Sequence, residues 1–396
     1  MRATRAILMT GAWLGLAILA MGCTTDPEPT GPNLAWESLA EGYEPGALLS
    51  IWSNGPDNVW VVGGEPGHAV VLAYDGAQWD EVDAGVEHGL RWIHGFDSGE
   101  VFVAGDAGTI SRCIDTVCTP MDTGDVDGAT FWGIWGSAPD DVYAVGGPYF
   151  QAASGVCAHE VIAECEEEPS EAPSEDPSSC HAAAACDDGD PCTTDLCDGG
   201  VPFEKDIVVH FDGTSWTRMT LPDQEGPSSG QLYKVWGSSA DDVFIVGSEG
   251  RTLHGGGGTW EWVDAGVGSL PLWTVAGFGP DRVYAVGGLF NNATLIRWDG
   301  NQWENVPLAE EQPSMLQGLW INSLGTVHVA GPEGYTAALP EDGEWVLGAP
   351  ITTLQYHAIT GDGAGGLYVA GGDIGGAKEH HVGVLSTTAP NVPQVP

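Results

Sequence analysis

Short runs of alternating hydrophobic and polar residues recur along most of the chain, separated by Gly, Pro and Asp. The clearest run covers residues 134–147 and reads IWGSAPDDVYAVGG. A period of two is typical of β-strands with one buried face. We therefore predict two strands in this run, joined by its Asp-rich turn.

The same run occurs seven times. It begins at Ile51, Ile93, Ile134, Val235, Val275, Leu319 and Ala358. Successive starts are 39 to 44 residues apart, except that 101 residues separate Ile134 from Val235. Each unit has room for four strands, named A to D here. Four strands in about 40 residues, repeated in this way, predict an all-β, seven-bladed β-propeller, with an open β-solenoid as the alternative.

An Asp-Gly turn between two aromatic residues marks the hairpin of strands C and D. The aromatic pairs are Tyr74 and Trp79, Phe211 and Trp216, and Trp298 and Trp303. Asp-Gly tolerates the positive φ angles of a tight turn, so each pair can meet across two strands. In the second unit Cys113 and Cys118 replace the aromatic pair, which predicts a disulfide there.

The two ends of the repeat region complement each other. The seventh unit has no strand D after Leu385, whereas residues 35–40, AWESLA, match a Trp-containing strand D. We expect this N-terminal strand to complete the last blade and to remove an exposed sheet edge. The predicted propeller covers residues 34–387 and is followed by a tail, 388–396.

The long spacing in the third unit indicates a Cys-rich, partly disordered insertion at residues 148–206. It contains Cys157, Cys165, Cys180, Cys186, Cys192 and Cys197. In an exported protein these six predict disulfides whose pairing the sequence leaves open. No two-residue spacing between cysteines favours zinc, and we predict no metal or cofactor. Calcium bound by Asp187, Asp188, Asp190 and Asp195 stays an alternative to Asp-rich turns.

The N-terminus reads as an export signal over residues 1–22, with Arg2 and Arg5 before an apolar stretch too short to span a membrane. Its end, LAMGC at residues 19–23, resembles the lipobox of bacterial lipoproteins. The resemblance implies cleavage before Cys23 and lipidation of that residue. Thr24 rather than Asp follows, which in that family favours the outer membrane. Residues 23–33 would form the lipidated, flexible tether.

The repeats resemble those of propellers in exported proteins of myxobacteria and, more distantly, the sialidase-like repeats of photosystem assembly factors. The resemblance covers roughly residues 34–387. It implies the fold and carries little about function, because propellers host many activities.

The formal net charge of −45 makes nucleic acid and anionic lipid headgroups unfavourable partners. Either a solvated acidic surface or binding of divalent cations is compatible with it.

The first residues of the A strands should surround the mouth of the central channel. We predict ligand binding by Arg91, Trp92, Trp132, Tyr233, Lys234, Trp273, Tyr356 and His357. Aromatic rings beside cationic groups suit sugars, peptides or other planar ligands. The alternative is that these aromatic residues pack between blades.

We expect a monomeric, non-catalytic binding or scaffolding propeller for an extracytoplasmic protein or glycan. No residue is predicted to be catalytic, because nucleotide loops, nucleophile elbows and His-x-x-x-His metal pairs are absent from the sequence. The alternatives are a glycan-active hydrolase or lyase of the sialidase-like propeller type and an envelope assembly factor.

Overall fold

The computed structural model describes residues 32–124, 126, 128–148, 206–222, 231–310, 312–374 and 381–396, together with two short strands at 158–161 and 193–196. Residues Pro32–Pro396 form one compact unit. Seven four-stranded antiparallel sheets account for nearly all of its strands, and the chain contains no α-helix within the described ranges. The predicted seven-bladed β-propeller is confirmed.

The blades are numbered in chain order, after a first strand β1 (Glu37–Tyr43). Blade 1 contains β2 (Ala47–Gly55), β3 (Asn58–Glu65), β4 (His68–Tyr74) and β5 (Trp79–Glu81). Blade 2 contains β6 (Leu90–Gly95), β7 (Glu100–Gly105), β8 (Ile110–Ile114) and β9 (Val117–Pro120). Blade 3 contains β10 (Ala129–Ala138), β11 (Asp141–Pro148), β14 (Ile207–Phe211) and β15 (Trp216–Arg218).

The remaining blades follow the same order from the inner to the outer strand. Blade 4 contains β16 (Leu232–Ser239), β17 (Asp242–Gly247), β18 (Arg251–Gly256) and β19 (Thr259–Asp264). Blade 5 contains β20 (Leu272–Gly277), β21 (Val283–Gly288), β22 (Ala293–Trp298) and β23 (Trp303–Asn305). Blade 6 contains β24 (Gly318–Ile321), β25 (Val327–Ala330), β26 (Thr336–Leu339) and β27 (Val346–Leu347). Short 3-10 helices cover Ser248–Gly250 and Pro332–Gly334.

Blade 7 combines the two ends of the propeller. Strands β28 (Tyr356–Gly361), β29 (Leu367–Gly372) and β30 (Gly383–Thr387) come from its end, and β1 pairs antiparallel with β30 as the fourth strand. Glu37 lies opposite Thr387, and Glu41 lies opposite Val384. The predicted closure is confirmed. The last residues of the chain pack onto this blade, where the Val395 amide donates to the Leu39 carbonyl oxygen at 3.0 Å.

The outer hairpins are built as predicted. Tyr74 and Trp79 have ring centroids 5.2 Å apart, and the amides of Ala77 and Gln78 both donate to the Asp75 carboxylate at 2.9 Å. These hydrogen bonds lower the pKa of Asp75 and fix the turn. In blade 2 the predicted disulfide Cys113–Cys118 occupies the same cross-strand position.

Tryptophan side chains on the A strands fill the gaps between neighbouring blades, where the next A strand carries glycine. A Cβ at Gly95 would lie 2.7 Å from the Trp52 ring, and a Cβ at Gly277 would lie 2.4 Å from the Trp236 ring. Only glycine leaves room for the indole at such a contact. Trp52 and Trp236 therefore pack between neighbouring blades.

The seventh repeat is shifted by one residue from its predicted alignment. Ile51 pairs with Val61 in blade 1, and the matching pair in blade 7 is Ile359 with Val369. Ala358 is buried as well, but it occupies the position before the equivalent of Ile51.

The insertion leaves blade 3 between β11 and β14, as predicted. Within it, β12 (Ala158–Val161) and β13 (Thr193–Leu196) pair antiparallel in a two-stranded sheet of their own. The six insertion cysteines, Asp187, Asp188, Asp190, Cys23 and the export signal all lie outside the described residues, whereas Asp195 lies on β13 opposite His159. In the described part of the chain, no helix is long and apolar enough to cross a membrane, and no cluster of three or more acidic, His or Cys side chains could hold a metal.

Candidate functional site

A β-bulge interrupts the start of the A strand in most blades. The register of A with B shifts between Leu48 and Ser50 in blade 1, and between Leu90 and Trp92 in blade 2. Blades 3, 4, 5 and 7 shift at the same place. A bulge adds one unpaired residue and redirects its side chain. The bulged residues are Leu49, Arg91, Trp132, Tyr233, Trp273 and His357.

These side chains meet in one cavity of about 320 Å³ at the mouth of the channel. Gln317 takes the equivalent place in blade 6, so all seven blades contribute to the lining. Trp92, Lys234 and Thr274, each one residue after a bulge, also reach the cavity. Hairpins between strands B and C supply the rim. The rim residues are Gly64, Glu65, Pro66, Ile374 and His381.

Three aromatic rings from blades 3, 4 and 5 form one wall. The rings of Tyr233 and Trp273 stack with centroids 4.7 Å apart, and Trp132 meets Tyr233 edge-on at 6.4 Å. The indole N–H of Trp273 donates to the Gly288 carbonyl oxygen at 3.1 Å, which fixes the ring. Burial raises the pKa of Tyr233 to about 12, so its hydroxyl is neutral at physiological pH.

Arg91 lies beside this wall in a compensated ion pair. Its Nε and one terminal nitrogen donate to the two Asp106 carboxylate oxygens at 2.9 and 2.6 Å. Thr130 donates to the same carboxylate at 3.1 Å, and the guanidinium lies 5.1 Å from the centre of the Trp132 ring. Such a bidentate pair holds the guanidinium in one orientation.

Lys234 brings a second cation into the cavity. Its ammonium donates to the Trp132 carbonyl oxygen at 2.6 Å and lies 3.7 Å from the centre of the Trp92 ring. Desolvation, with a smaller contribution from the Arg91 charge, lowers the pKa of Lys234 to about 7. The group therefore exchanges a proton near neutral pH.

His357 closes the ring of lining residues from blade 7. Its Nε2–H donates to the Gly372 carbonyl oxygen at 3.0 Å. Burial is the main reason that the pKa of His357 falls to about 4, and the charges of Lys234 and Arg91 act in the same direction. His357 is consequently neutral at pH 7 and adds an uncharged ring to the cavity.

Seven of the eight predicted ligand-binding residues line this cavity. They are Arg91, Trp92, Trp132, Tyr233, Lys234, Trp273 and His357. Tyr356 does not, because it corresponds to Leu48 and Leu90 rather than to a bulge. Its side chain is fully buried in the core and its hydroxyl is 2.9 Å from Ser386 Oγ.

The sequence prediction omitted several lining residues. Leu49, Gln317 and Thr274 occupy strand-A positions equivalent to those of the predicted residues, but their side chains lack the aromatic or charged character on which the prediction was based. Glu65 and His381 come from B–C hairpins, which lie at the same end of the blades as the first residues of the A strands. The order of the strands was the one signal that could have identified them.

Two Asp–His pairs lie at the A–B turns, away from the cavity. Asp141 accepts from His210 at 2.6 Å and from Ser137, and Asp242 accepts from His254 at 2.7 Å and from Ser238. The same set in two adjacent blades ties strand C to the A–B turn, which indicates a structural role.

Neither a protein-family model nor a curated protein matches the chain. Solved propeller structures resemble it closely in fold. A catalytically inactive virginiamycin B lyase from Staphylococcus aureus with quinupristin has 9% identity and a TM-score of 0.61, over 88% of this chain and 98% of that one. YCF48 bound to D1 peptide has 11% identity and a TM-score of 0.54, over 89% and 96%.

A third similar structure is the WD40 β-propeller domain of Doa1, with 8% identity and a TM-score of 0.57, over 89% of this chain and 97% of that one. At these identities the similarity establishes the fold alone. The three structures include a lyase and a peptide-bound protein, so the shared architecture does not assign one activity.

Proposed function

We propose that the protein is a non-catalytic binding propeller of the cell envelope that holds an extracytoplasmic polypeptide at the channel-mouth cavity. The observation that carries this proposal is the convergence of side chains from all seven blades on one cavity. Six of the blades use a bulge for this purpose, and bulges concentrate where a fold redirects side chains toward a site.

The composition of the cavity supports binding. Its lining combines tryptophan and tyrosine rings with the cations Arg91 and Lys234, and Trp, Tyr and Arg are the residue types that dominate the energetics of protein interfaces. A volume of about 320 Å³ suits a few side chains of a partner or one small molecule.

The surroundings of the cavity favour a polypeptide. Phe290, in the B–C hairpin of blade 5, has a side chain that is 86% exposed and a φ of +51°. This hairpin begins beside Gly288, which accepts the hydrogen bond from Trp273. An exposed aromatic residue with a positive φ, two residues beyond the Gly288 carbonyl that fixes Trp273, is a feature expected of a contact surface. YCF48, which has a similar fold, has been solved with a peptide bound.

The proposed location rests on the N-terminal sequence. The basic and apolar segment followed by LAMGC at residues 19–23 supports export and lipidation at Cys23. The acidic surface supports a place facing solvent, away from anionic headgroups. We propose anchoring in the outer membrane, with the propeller held off the bilayer by residues 23–33.

Site-specific photocrosslinking in native cells tests the proposal. Pro66, exposed on the cavity rim, is replaced by p-benzoylphenylalanine in the full chain, and the same residue replaces Asp97 at the A–B turn on the opposite face as the control. We expect a discrete polypeptide crosslink from position 66 that is absent from position 97.

A second pair of variants tests whether the cavity itself holds the partner. Trp273→Ala removes part of the aromatic wall, and Phe278→Ala removes an aromatic side chain just beyond the other end of the same strand. Trp273→Ala should reduce the crosslink at least about tenfold, and Phe278→Ala should leave it unchanged. Equal crosslinking in both variants would refute the cavity as the binding site. A crosslink to a glycan would show that the partner is a glycan and not a polypeptide.

A further inference from the structure

Lys234 is a buried cation that has no acidic partner among the described residues. The residue is 9% exposed, and no salt bridge joins it to a carboxylate within the described residues. Its single hydrogen bond in that part of the chain goes to the Trp132 carbonyl oxygen. An ammonium has three donors, so this bond uses one of them. The Trp92 ring lies 3.7 Å from Nζ and offers a cation–π contact but no negative charge.

Arg91, which lines the same cavity, is paired with a carboxylate. Asp106 neutralises Arg91 through two hydrogen bonds and lies 7% exposed behind it. The two cations differ in this respect although they line one cavity. Burying a charge without a counterion costs free energy. A ligand anion would therefore gain more binding free energy by pairing with the Lys234 ammonium than with the already paired Arg91.

We propose that the cavity recognises a carboxylate held against Lys234 Nζ, with the adjoining planar or apolar part of the ligand against Trp92 and the aromatic wall. The inference rests on the proposed function, since it gives the chemistry by which the partner is recognised at the same site. The shared chemistry is a carboxylate next to an apolar group. It could belong to the polypeptide partner or to a free organic acid.

One negative charge fits better than two. Within the described part of the chain Lys234 supplies a single uncompensated charge, because Asp106 already neutralises Arg91. Glu65 contributes a carboxylate at the rim, and the net charge of the chain is −45. A dianion such as phosphate would meet more repulsion and fewer donors than a monoanion.

The pH dependence of binding follows from the groups around Lys234. In the ligand-free protein the pKa of Lys234 is about 7, so its ammonium loses a proton as the pH rises above neutrality. The affinity for a carboxylate should therefore fall between about pH 7 and pH 9. Arg91 stays charged and His357 stays neutral over this range, since its pKa is about 4. Glu65 and His381 also face the cavity, and the charge of Asp373 partly offsets the lowering of the His357 pKa.

Matched acid and amide probes test the inference by calorimetry on the full chain in detergent. The probes are N-acetylphenylalanine and N-acetylphenylalaninamide, which differ only in that a carboxylate in the first is a neutral carboxamide in the second. At pH 6 the acid should bind about tenfold tighter or more, which is the size expected of a charge-assisted hydrogen bond. At pH 9 the preference should largely disappear.

Two variants assign the preference to the ammonium. Lys234→Met keeps the apolar stem and should bind both probes equally. Lys234→Arg keeps a charge that does not titrate, so it should retain the preference at pH 6 and at pH 9. Thermal unfolding of each variant verifies that the fold is intact. If the wild-type chain binds acid and amide equally at pH 6, or binds neither, the inference is wrong, whatever the variants do.

A peptide pair distinguishes the sources of the carboxylate. The peptide GSGSF is compared with its C-terminally amidated form. Tighter binding of the free-acid peptide than of N-acetylphenylalanine indicates a polypeptide carboxylate, and equal affinities indicate a free organic acid. If the crosslink from position 66 is absent while the acid preference persists, the proposed polypeptide partner fails and the carboxylate site stands. If the crosslink forms while acid and amide bind equally, the carboxylate site alone fails.

Discussion

At the scale of single residues, His328 is a buried titratable group outside the cavity whose cost to stability is testable. It lies on β25 at 2% exposure, beside the Trp320 ring, and neither ring nitrogen has a hydrogen-bond partner within the described residues. Burial lowers the pKa of His328 from 6.5 to about 4. On acidification the unfolded chain therefore binds a proton before the folded chain does, and stability falls as the pH drops from about 6.5 toward 4.

His328→Phe should remove this contribution. Between pH 8 and pH 5 the wild-type chain should lose about 2 kcal/mol more of its free energy of unfolding than the variant does, from the 6.5 and 4 pKa values. Urea unfolding at several pH values measures the difference. His68→Phe changes an exposed histidine and should leave the pH dependence unchanged. Equal pH dependence in His328→Phe and in the wild-type chain would contradict the prediction.

At the scale of strands and blades, the sequence predicts most of the architecture because each feature has a local signal. Period-two runs predict the A and B strands, and Asp-Gly turns between aromatic residues predict the C–D hairpins. The misalignment of blade 7 has a local cause, since Thr360 stands where blade 1 has Trp52, and Ala358 and Ile359 are both apolar. The same bulges direct side chains into the cavity, so the misalignment wrongly placed Tyr356 in the predicted site, whereas His357 is the bulged residue of blade 7 and lines the cavity.

The contact between neighbouring blades leads to a prediction for Gly277. Gly277→Ala would place a Cβ 2.4 Å from the Trp236 ring, so the indole or the strand must move. We expect the free energy of unfolding to fall by about 1–3 kcal/mol, the usual cost of overpacking. Gly55→Ala is the matched control, because nothing lies within 4 Å of its added Cβ. Chemical unfolding of both variants tests the prediction, which fails if Gly277→Ala is as stable as Gly55→Ala.

At the scale of the whole molecule, the cavity differs from the rest of the surface in charge. The chain has 11 Lys and Arg residues against 56 Asp and Glu, and two of those cations lie together at the channel mouth. Composition alone predicts an acidic protein. Arg91 and Lys234 come from blades 2 and 4, and they reach one cavity only because the blades close into a ring. The partner of Arg91, Asp106, follows strand B of the same blade and carries no motif that would identify it.

Closure of the ring also makes a whole-molecule prediction about stability. Leu39 on β1 is 2% exposed and belongs to a core cluster that contains residues of blades 1 and 7. Leu39→Ala should lower the free energy of unfolding by about 2–5 kcal/mol. In a closed ring this loss should shift the single main transition, because opening one blade exposes edges on both sides.

Glu37→Ala, at an exposed position on the same strand, is the control and should change the free energy of unfolding by less than about 0.5 kcal/mol. Tryptophan fluorescence and circular dichroism should report the same shifted midpoint. A separate early transition with an unmoved main one would show instead that β1 frays independently and does not lock the propeller.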